Sequence, residues 1–488
     1  MRRDRRHPLT RPGRTSRRAL LVAAALILAL GLRVVFVETT PYRAVNDAGT
    51  YNRFAAAIAT DGDYTTGDNG PGTGAGGSRG PTAYFPPGYP YALAIADLVD
   101  GHTSGHRAAL PGERLENASL GTVTVALVGL VALEMCGPGP ALAALLLAAV
   151  DPVLIELSAV LVAENLLVVL ELAAVWAGLR AWRSPARAWR WIAPAGVVTG
   201  LATVTHENAV VMVLPLAVAA AGGARARARP VVGRGHGSAT GSAGHPSHPR
   251  GGFDAQRARR WTRRGSGGAR RSLGAVALLL ACAAAAIAPW TVRNALQLHR
   301  FVPVADETGI TLRGTYNPTS AADRTIPYKW RLFWFVPVDQ GIRRRAGTMS
   351  EPALSAVLER RALHYIDRHP GAPLTVGADN LARMFELEGE AAWRASAKAV
   401  DLPIDDARIG VIAFWVLCLL ALAGLFTRAA RGAPRWPWAV PVLFALSVVF
   451  VNVETPRFRE PIDPFLLVLA GCAVDAALRR VRLRRSAA

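Results

Sequence analysis

The chain of 488 residues is 51% hydrophobic and 19% charged, with a mean hydropathy of +0.23 and a formal charge of +21 from 56 Lys+Arg against 35 Asp+Glu. Soluble proteins usually carry about one charged residue in four, so this composition argues for a bilayer as solvent and excludes disorder over most of the chain. The four cysteines, Cys136, Cys282, Cys418 and Cys472, lie in or beside apolar runs with no metal-ligand spacing and read as small hydrophobes.

An Arg-rich start at residues 1–18 leads into an apolar run at 19–37. Its length matches a crossing of about 20 residues and exceeds the core of a signal peptide, so it reads as a retained span. Further runs follow at 115–135, 141–157, 159–179, 191–205, 209–221, 273–290, 409–426, 436–451 and 462–478. As one helix, 191–221 would measure about 46 Å, too long for a hydrocarbon core of about 30 Å. It carries His206, Glu207 and Asn208 at its middle, which favours a hairpin of two short spans. The segment 85–99 opens Phe-Pro-Pro-Gly-Tyr-Pro and contains Asp97, and reads as an interfacial helix. The expected fold class is an all-α polytopic membrane protein, a bundle of about ten (ten to twelve) transmembrane helices with two large extracytoplasmic loops containing interfacial helices.

Arginine sets the orientation. With the N-terminus inside, the inward segments are 1–18, 137–140, 180–190, 222–272, 427–435 and 479–488, and they hold 32 arginines against Asp4 and Asp254. The rest of the chain is net negative, as expected when Lys and Arg accumulate on the cytoplasmic side. Making 85–99 a span would put the Arg-rich 222–272 outside. The positive charge is thus an orientation signal, and nucleic acid is not an expected partner. The expected organisation is a cytoplasmic basic N-terminus (1–18), a membrane core (19–222) with a first outer loop (38–114), a cytoplasmic loop (223–272), a span (273–290), a second outer loop (291–408), further spans (409–478) and a cytoplasmic tail (479–488). The Gly/Ser/Arg-rich 222–272, with scattered His236, His245 and His248, reads as disordered. Glycine-rich 62–80 lacks the Lys-Ser/Thr ending of a phosphate loop and reads as a flexible lid or connector. In the second outer loop, Leu354, Val357, Leu358 and Tyr365 recur at helical spacing between Pro352 and Pro370. They predict an amphipathic helix on the membrane surface or on the first loop.

In the first outer loop, Tyr51, Phe54, Ala55 and Ile58 follow helical spacing, which puts Asp47 at or just before a helix N-terminus. There it is either a helix cap or, just outside the membrane, a general base for an acceptor hydroxyl. Asp47 with Tyr51, Pro86-Pro87-Gly88-Tyr89-Pro90, and Arg114-Leu115-Glu116-Asn117-Ala118 resemble the polytopic GT-C glycosyltransferases. So do Ala288-Pro289-Trp290-Thr291-Val292-Arg293-Asn294, Phe301-Val302-Pro303-Val304 and Pro456-Arg457-Phe458-Arg459-Glu460-Pro461. The pattern is most similar to glycosyltransferase family 39, which includes protein O-mannosyltransferases and lipid A aminoarabinose transferases.

That resemblance implies transfer of a hexosyl or pentosyl group from a polyprenyl-phosphate carrier to an acceptor at the outer face of a multi-pass cell-membrane enzyme. The acceptor, whether protein, lipid or polysaccharide, is left open. Carried onto this sequence, Asp47 is the catalytic carboxylate of an inverting transfer and Tyr51 a substrate contact. Relatives often have a second acid beside the first; here the neighbour is Asn46, which leaves a role for a divalent metal open, and no cofactor is otherwise indicated. For the carrier phosphate the candidates are Arg293, directly after the seventh span, and Arg457 and Arg459, between the last two, since an arginine grips phosphate through paired N–H donors. Headgroup anchoring, or pairing with Glu454 or Glu460, is the alternative.

Arg33, inside the first span, is either functional or snorkelling. His206 and Glu207 at the hairpin tip either contact sugar or phosphate or serve the turn. Glu164, in the fourth span, should face the bundle or a wet cavity. Tyr316-Asn317-Pro318 reads as a turn more than as part of a sugar site, and the sequon at Asn117 is discounted at a span entrance. The rival readings are a transporter or flippase of a lipid-linked glycan and a catalytically inactive relative. A transporter has no need of a carboxylate over the donor site and would more often show paired inverted repeats, which are not apparent.

Overall fold

The computed structural model describes residues 14–65, 80–100, 110–226 and 255–487. Among these the structure is helical, and the only paired extended residues are Thr65 and Pro81. The first half contains α1 (Arg14–Thr39), α2 (Asn46–Asp61), α3 (Gly88–Asp100), α4 (Leu110–Cys136), α5 (Pro138–Val150), α6 (Pro152–Leu157), α7 (Glu164–Arg183), α8 (Trp189–Thr205) and α9 (Val213–Ala226). A long α10 (Ala255–Leu298) leads into six short-to-medium helices: α11 (Thr308–Thr315), α12 (Pro318–Ala321), α13 (Gln340–Ala346), α14 (Glu351–Arg368), α15 (Ala372–Met384) and α16 (Glu390–Ala399). The chain closes with α17 (Ile404–Leu425), α18 (Arg428–Gly432), α19 (Ala439–Val449) and α20 (Asp463–Ala487).

The ten predicted apolar runs map onto the helices of the bundle, some of them interrupted. Among the described residues, five helices are long and apolar enough to cross a membrane: the Arg17–Thr39 part of α1, α4, α7, α17 and the Gly268–Leu298 part of α10. Three more runs fall in shorter apolar helices at Pro138–Val150, Glu207–Gly223 and Trp436–Val449. The predicted hairpin 191–221 does divide at His206, where α8 ends and a 3-10 turn, Glu207–Met212, leads into α9.

Three boundaries differ from the sequence reading. The run 141–157 breaks at Asp151 because Pro152 cannot continue α5, and Asp151 instead caps α6 by accepting from the Leu154 amide at 3.0 Å. The run 159–179 becomes helical only at Glu164; residues 158–163 are non-helical and buried. Of the predicted disordered segment 222–272, residues 222–226 extend α9 and 255–272 open α10. The remainder, with His236, His245 and His248, lies outside the described residues, as do 1–13 and the 66–79 part of the glycine-rich stretch.

The break at 158–163 is what positions the site. Irregular backbone inside a bundle survives only if its polar groups find partners, since each one left bare costs several kcal/mol. Side chains from two helices, α4 and α7, and the segment after α1 supply them. Asn165 Nδ2 donates to the Leu157 and Val160 carbonyls (2.9 and 3.0 Å), and Asn117 Nδ2 also donates to Val160 (3.0 Å). Arg114 Nε donates to the Ala159 carbonyl (2.8 Å), and the Leu161 amide donates to the Tyr42 hydroxyl (3.0 Å). Arg33 Nε reaches Ser158 Oγ (3.1 Å), so this buried arginine of α1 is neither snorkelling nor at a ligand site. Asn117 is fully buried in this network, consistent with discounting its sequon.

Over this end of the bundle lies a layer built from both predicted outer segments. Its apolar core joins Tyr51 and Phe54 of α2, Tyr89 and Leu93 of α3, Trp290, Ile310, Phe333 and the α14 residues Leu354 and Leu358. Helix α14 starts with Pro352 in its first turn, as the sequence suggested, and Glu351 at its head accepts from Thr82 Oγ1 (2.6 Å) and the Ala83 amide (2.9 Å) of the first segment.

Candidate active site

A cavity of about 580 Å³ opens where this layer meets the bundle. Asp47 lies in the first turn of α2, whose cap position is Val45 with no side-chain hydrogen bond, so Asp47 is not the helix cap. The preceding chain is fixed from outside the helix: the Arg43 amide donates to Asp401 Oδ2 (2.7 Å) and Asn46 Nδ2 to the Ala399 carbonyl (2.8 Å). The Asp47 carboxylate is thereby left for the cavity, where its Oδ2 accepts from Arg457 Nη1 at 2.8 Å. One turn on, Tyr51 is buried against Phe85 and edge-on to Tyr89, with centroids at 4.8 and 5.1 Å. Burial, then Asp47 and Glu164, push its hydroxyl well above the ordinary phenol range.

The Pro86–Pro90 motif starts α3 and fixes the opposite wall. A side chain on Gly88 would run into Thr205, the last residue of α8, so the absence of a Cβ lets α3 press against the turn that presents His206. His206 Nε2 lies 3.9 Å from Glu164 Oε1, and Glu207 Oε1 accepts from the Ala305 amide at 2.8 Å. Burial lowers the His206 pKa and Arg457 adds to this, while Glu164 opposes. The imidazole is therefore favoured neutral.

Arg457, in the turn between α19 and α20, sits at the centre. Its Nε is 3.3 Å from Glu164 Oε1, and it lies over the Phe458 ring at 4.6 Å. Burial alone would lower its pKa, but Glu164, Asp47 and Glu454 outweigh burial and hold it well above its ordinary value. Glu307 at the head of α11 also lines the cavity; burial, then Glu207 and Asp47, push its carboxyl well above the usual range. Lys329, Glu454 and Arg331, the last paired with Asp323, complete the charged lining.

Of the residues singled out from sequence, the structure thus gathers Asp47, Tyr51, His206, Glu207 and Arg457 around one cavity. It places Arg293 and Arg459 elsewhere. Arg293 donates to the Thr82 and Tyr64 carbonyls (2.5 and 2.8 Å) and stacks on Trp290, tying together the ends of the glycine-rich stretch. Arg459 is sealed between Asp463 (3.2 Å) and Glu386 (2.8 Å). Tyr316-Asn317-Pro318 is a turn, with the Asn317 side chain capping α12 through the Ser320 amide. Sequence reasoning did not select Glu307, Lys329 or Glu454 for the cavity. For Lys329 a signal existed: it is one of only two lysines, with Lys398, in a chain that otherwise uses arginine.

Asn46 turns to a backbone carbonyl, Arg457 supplies the positive charge, and among the described residues no group of three or more His, Cys, Asp or Glu is arranged to hold an ion.

Residues 86–232 match the family model of dolichyl-phosphate-mannose-protein mannosyltransferases. No curated protein matches. Among solved structures, the oligosaccharyltransferase of Archaeoglobus fulgidus tethered with an acceptor peptide superposes with a TM-score of 0.53 at 16% identity, over 97% of this chain and 51% of that one. The chain has the GT-C fold of membrane glycosyltransferases. The same archaeal enzyme in complex with Zn and sulfate gives a TM-score of 0.51 at 15% identity, over 95% and 50%. ArnT from Cupriavidus metallidurans, bound to undecaprenyl phosphate, gives 0.39 at 13% identity, over 95% and 79%. The chain spans about half the length of the archaeal structures it matches.

Proposed function

We propose that the protein is a membrane glycosyltransferase that moves a sugar from a polyprenyl-phosphate donor to an acceptor on the extracytoplasmic face, with inversion. The observation that carries this reading is the meeting of Asp47 and Arg457 at 2.8 Å in a polar cavity at the end of an apolar bundle. The name of the matched family supplies the donor class, a lipid-phosphate sugar. The outward side rests on charge. The layer helices lie within 38–114 and 291–408, the segments that the arginine distribution assigns outside, with 1–18, 223–272 and 479–488 in the cytoplasm.

In this reading the acceptor oxygen attacks the anomeric carbon from the face opposite the phosphate. The new C–O bond forms as the bond to the phosphate oxygen breaks, and Asp47 takes the acceptor's proton. The departing phosphate gains charge beside Arg457, with Lys329 as a second cation on the cavity wall. Tyr51, His206 and Glu207 flank the sugar, and Glu307, favoured protonated, offers an O–H donor to a ring hydroxyl. Arg293 and Arg459 support the layer and the turn, and do not touch the donor.

The test incubates membranes with a polyprenyl-phosphate sugar and candidate acceptors. Asp47→Asn should cost about 10²- to 10⁴-fold in transfer, the usual worth of a general base, with insertion unchanged. Undiminished transfer by a correctly inserted variant would sink the assignment.

A further inference from the structure

The site holds its central cation, Arg457, in a position that leaves the base occupied. Arg457 faces two carboxylates: Nη1 meets Asp47 at 2.8 Å and Nε meets Glu164 at 3.3 Å. A carboxylate paired to a guanidinium is a poor base, because taking a proton means giving up that pair. Either the Asp47 pair opens during turnover or Asp47 is not the base.

The two carboxylates differ in what separation would cost them. The Glu164 side chain is 3% exposed at the head of α7, and losing Arg457 would strand a buried charge. The Asp47 side chain is 37% exposed and can be rehydrated. Other charged groups around the guanidinium do not change this order. Glu454 adds a third negative charge, Glu207 is spent on the Ala305 amide, His206 lies beyond Glu164 and is favoured neutral, and Glu307 is favoured protonated. Lys329 lines the cavity near Glu454 and, among the described residues, makes no close ion pair.

We propose that Arg457 exchanges partners: an incoming donor phosphate takes the guanidinium edge from Asp47, so donor binding itself frees the base, while Glu164 is the positioning residue that keeps Arg457 anchored. This rests on the lipid-phosphate reading of the cavity. It makes the order of events chemical, since an acceptor that arrives first meets a neutralised Asp47 and no proton is drawn from it. The second clamp is built into the fold, because the buried break at 158–163 fixes where α7, and with it Glu164, begins.

The experiment measures binding of undecaprenyl phosphate, which carries no sugar, to the full chain in nanodiscs. Asp47→Asn removes the competitor and should tighten binding several-fold. Glu164→Gln removes the anchor and should weaken it several-fold, although it deletes the same negative charge. In an Arg457→Ala background both effects should shrink below twofold, because both act through that guanidinium. If both carboxylate variants tighten binding, or if their effects persist without Arg457, plain charge repulsion explains the site and the exchange is overturned. If the wild type and all variants bind with the same negligible affinity, the lipid-phosphate reading fails, and the exchange with it. Folding is checked on the same samples by thermal melting, and Glu164→Asp should restore part of the affinity lost in Glu164→Gln.

Discussion

Arg457 and Arg459 are two residues apart in one turn and lead opposite lives. Arg459 is buried at 2% side-chain exposure with its charge matched on both sides by Asp463 and Glu386, and its guanidinium rests 3.4 Å from the Phe414 ring centroid. Arg457 is 13% exposed, shared between one carboxylate in the protein and one at the cavity, with room beside it. The first is a closed circuit that joins α20 to the segment after α15. The second has an open terminal, and that difference separates a structural arginine from a candidate catalytic one.

Each side of the comparison can be broken by substitution. Arg459→Ala should have the largest effect on stability, about 3–5 kcal/mol, because two carboxylates are then left in the interior without a cation. Thermal melting in nanodiscs should show this, and a variant that melts normally but transfers no sugar would erase the distinction. Arg457→Ala should lower transfer about 10²- to 10³-fold, the scale seen when one group that stabilises developing negative charge is removed, with a much smaller shift in melting.

Glu351 sharpens the contrast as a largely buried carboxyl that has hydrogen-bond donors but no arginine in ion-pair contact. Burial pushes it up to about 6, with Thr82 and Ala83 only partly opposing. The folded state therefore holds that proton more tightly than the unfolded one. The stability it contributes is full below the ordinary carboxyl value and is lost as pH rises through 6. From pH 4 to pH 7 the loss is about 2 kcal/mol, and Glu351→Gln should remove that part of the pH dependence of melting. Smallest is Lys329→Ala, expected to raise the KM for donor roughly tenfold, one charge-assisted contact, with kcat little changed.

Much of the bundle was legible because hydrophobic runs and arginine placement are properties of single segments. Asp47 was legible for the same reason, since the helical spacing of Tyr51, Phe54 and Ile58 places it at the head of α2. What escaped was every distinction made by a distant partner. Arg457 and Arg459 look alike in sequence; one is committed by Glu386, 73 residues away, and the other is opened by Asp47, 410 residues away. Arg33 carried no local sign that it would hold Ser158, and Glu164 looked like a residue inside a span because nothing nearby announces that the helix starts late. Pro152 did announce the break at Asp151, but the continuous hydropathy of 141–157 concealed it. Arg293 sits in a motif that resembles the glycosyltransferases, yet the carbonyls it serves belong to a loop more than 200 positions earlier.

The unwound stretch 158–163 has a consequence for biogenesis. Its carbonyls and amides are capped from α4, the segment following α1 and the first turn of α7, while Arg33 of α1 holds the Ser158 hydroxyl, so no single element completes it. Glu164, at the head of α7, is positioned by the same contacts, and its partner Arg457 comes from a turn far along the chain, between α19 and α20. A half-inserted chain therefore presents no assembled charge pair at the membrane surface. The charge pair is thus a coincidence of finished helices, assembled only when distant parts of the chain have met.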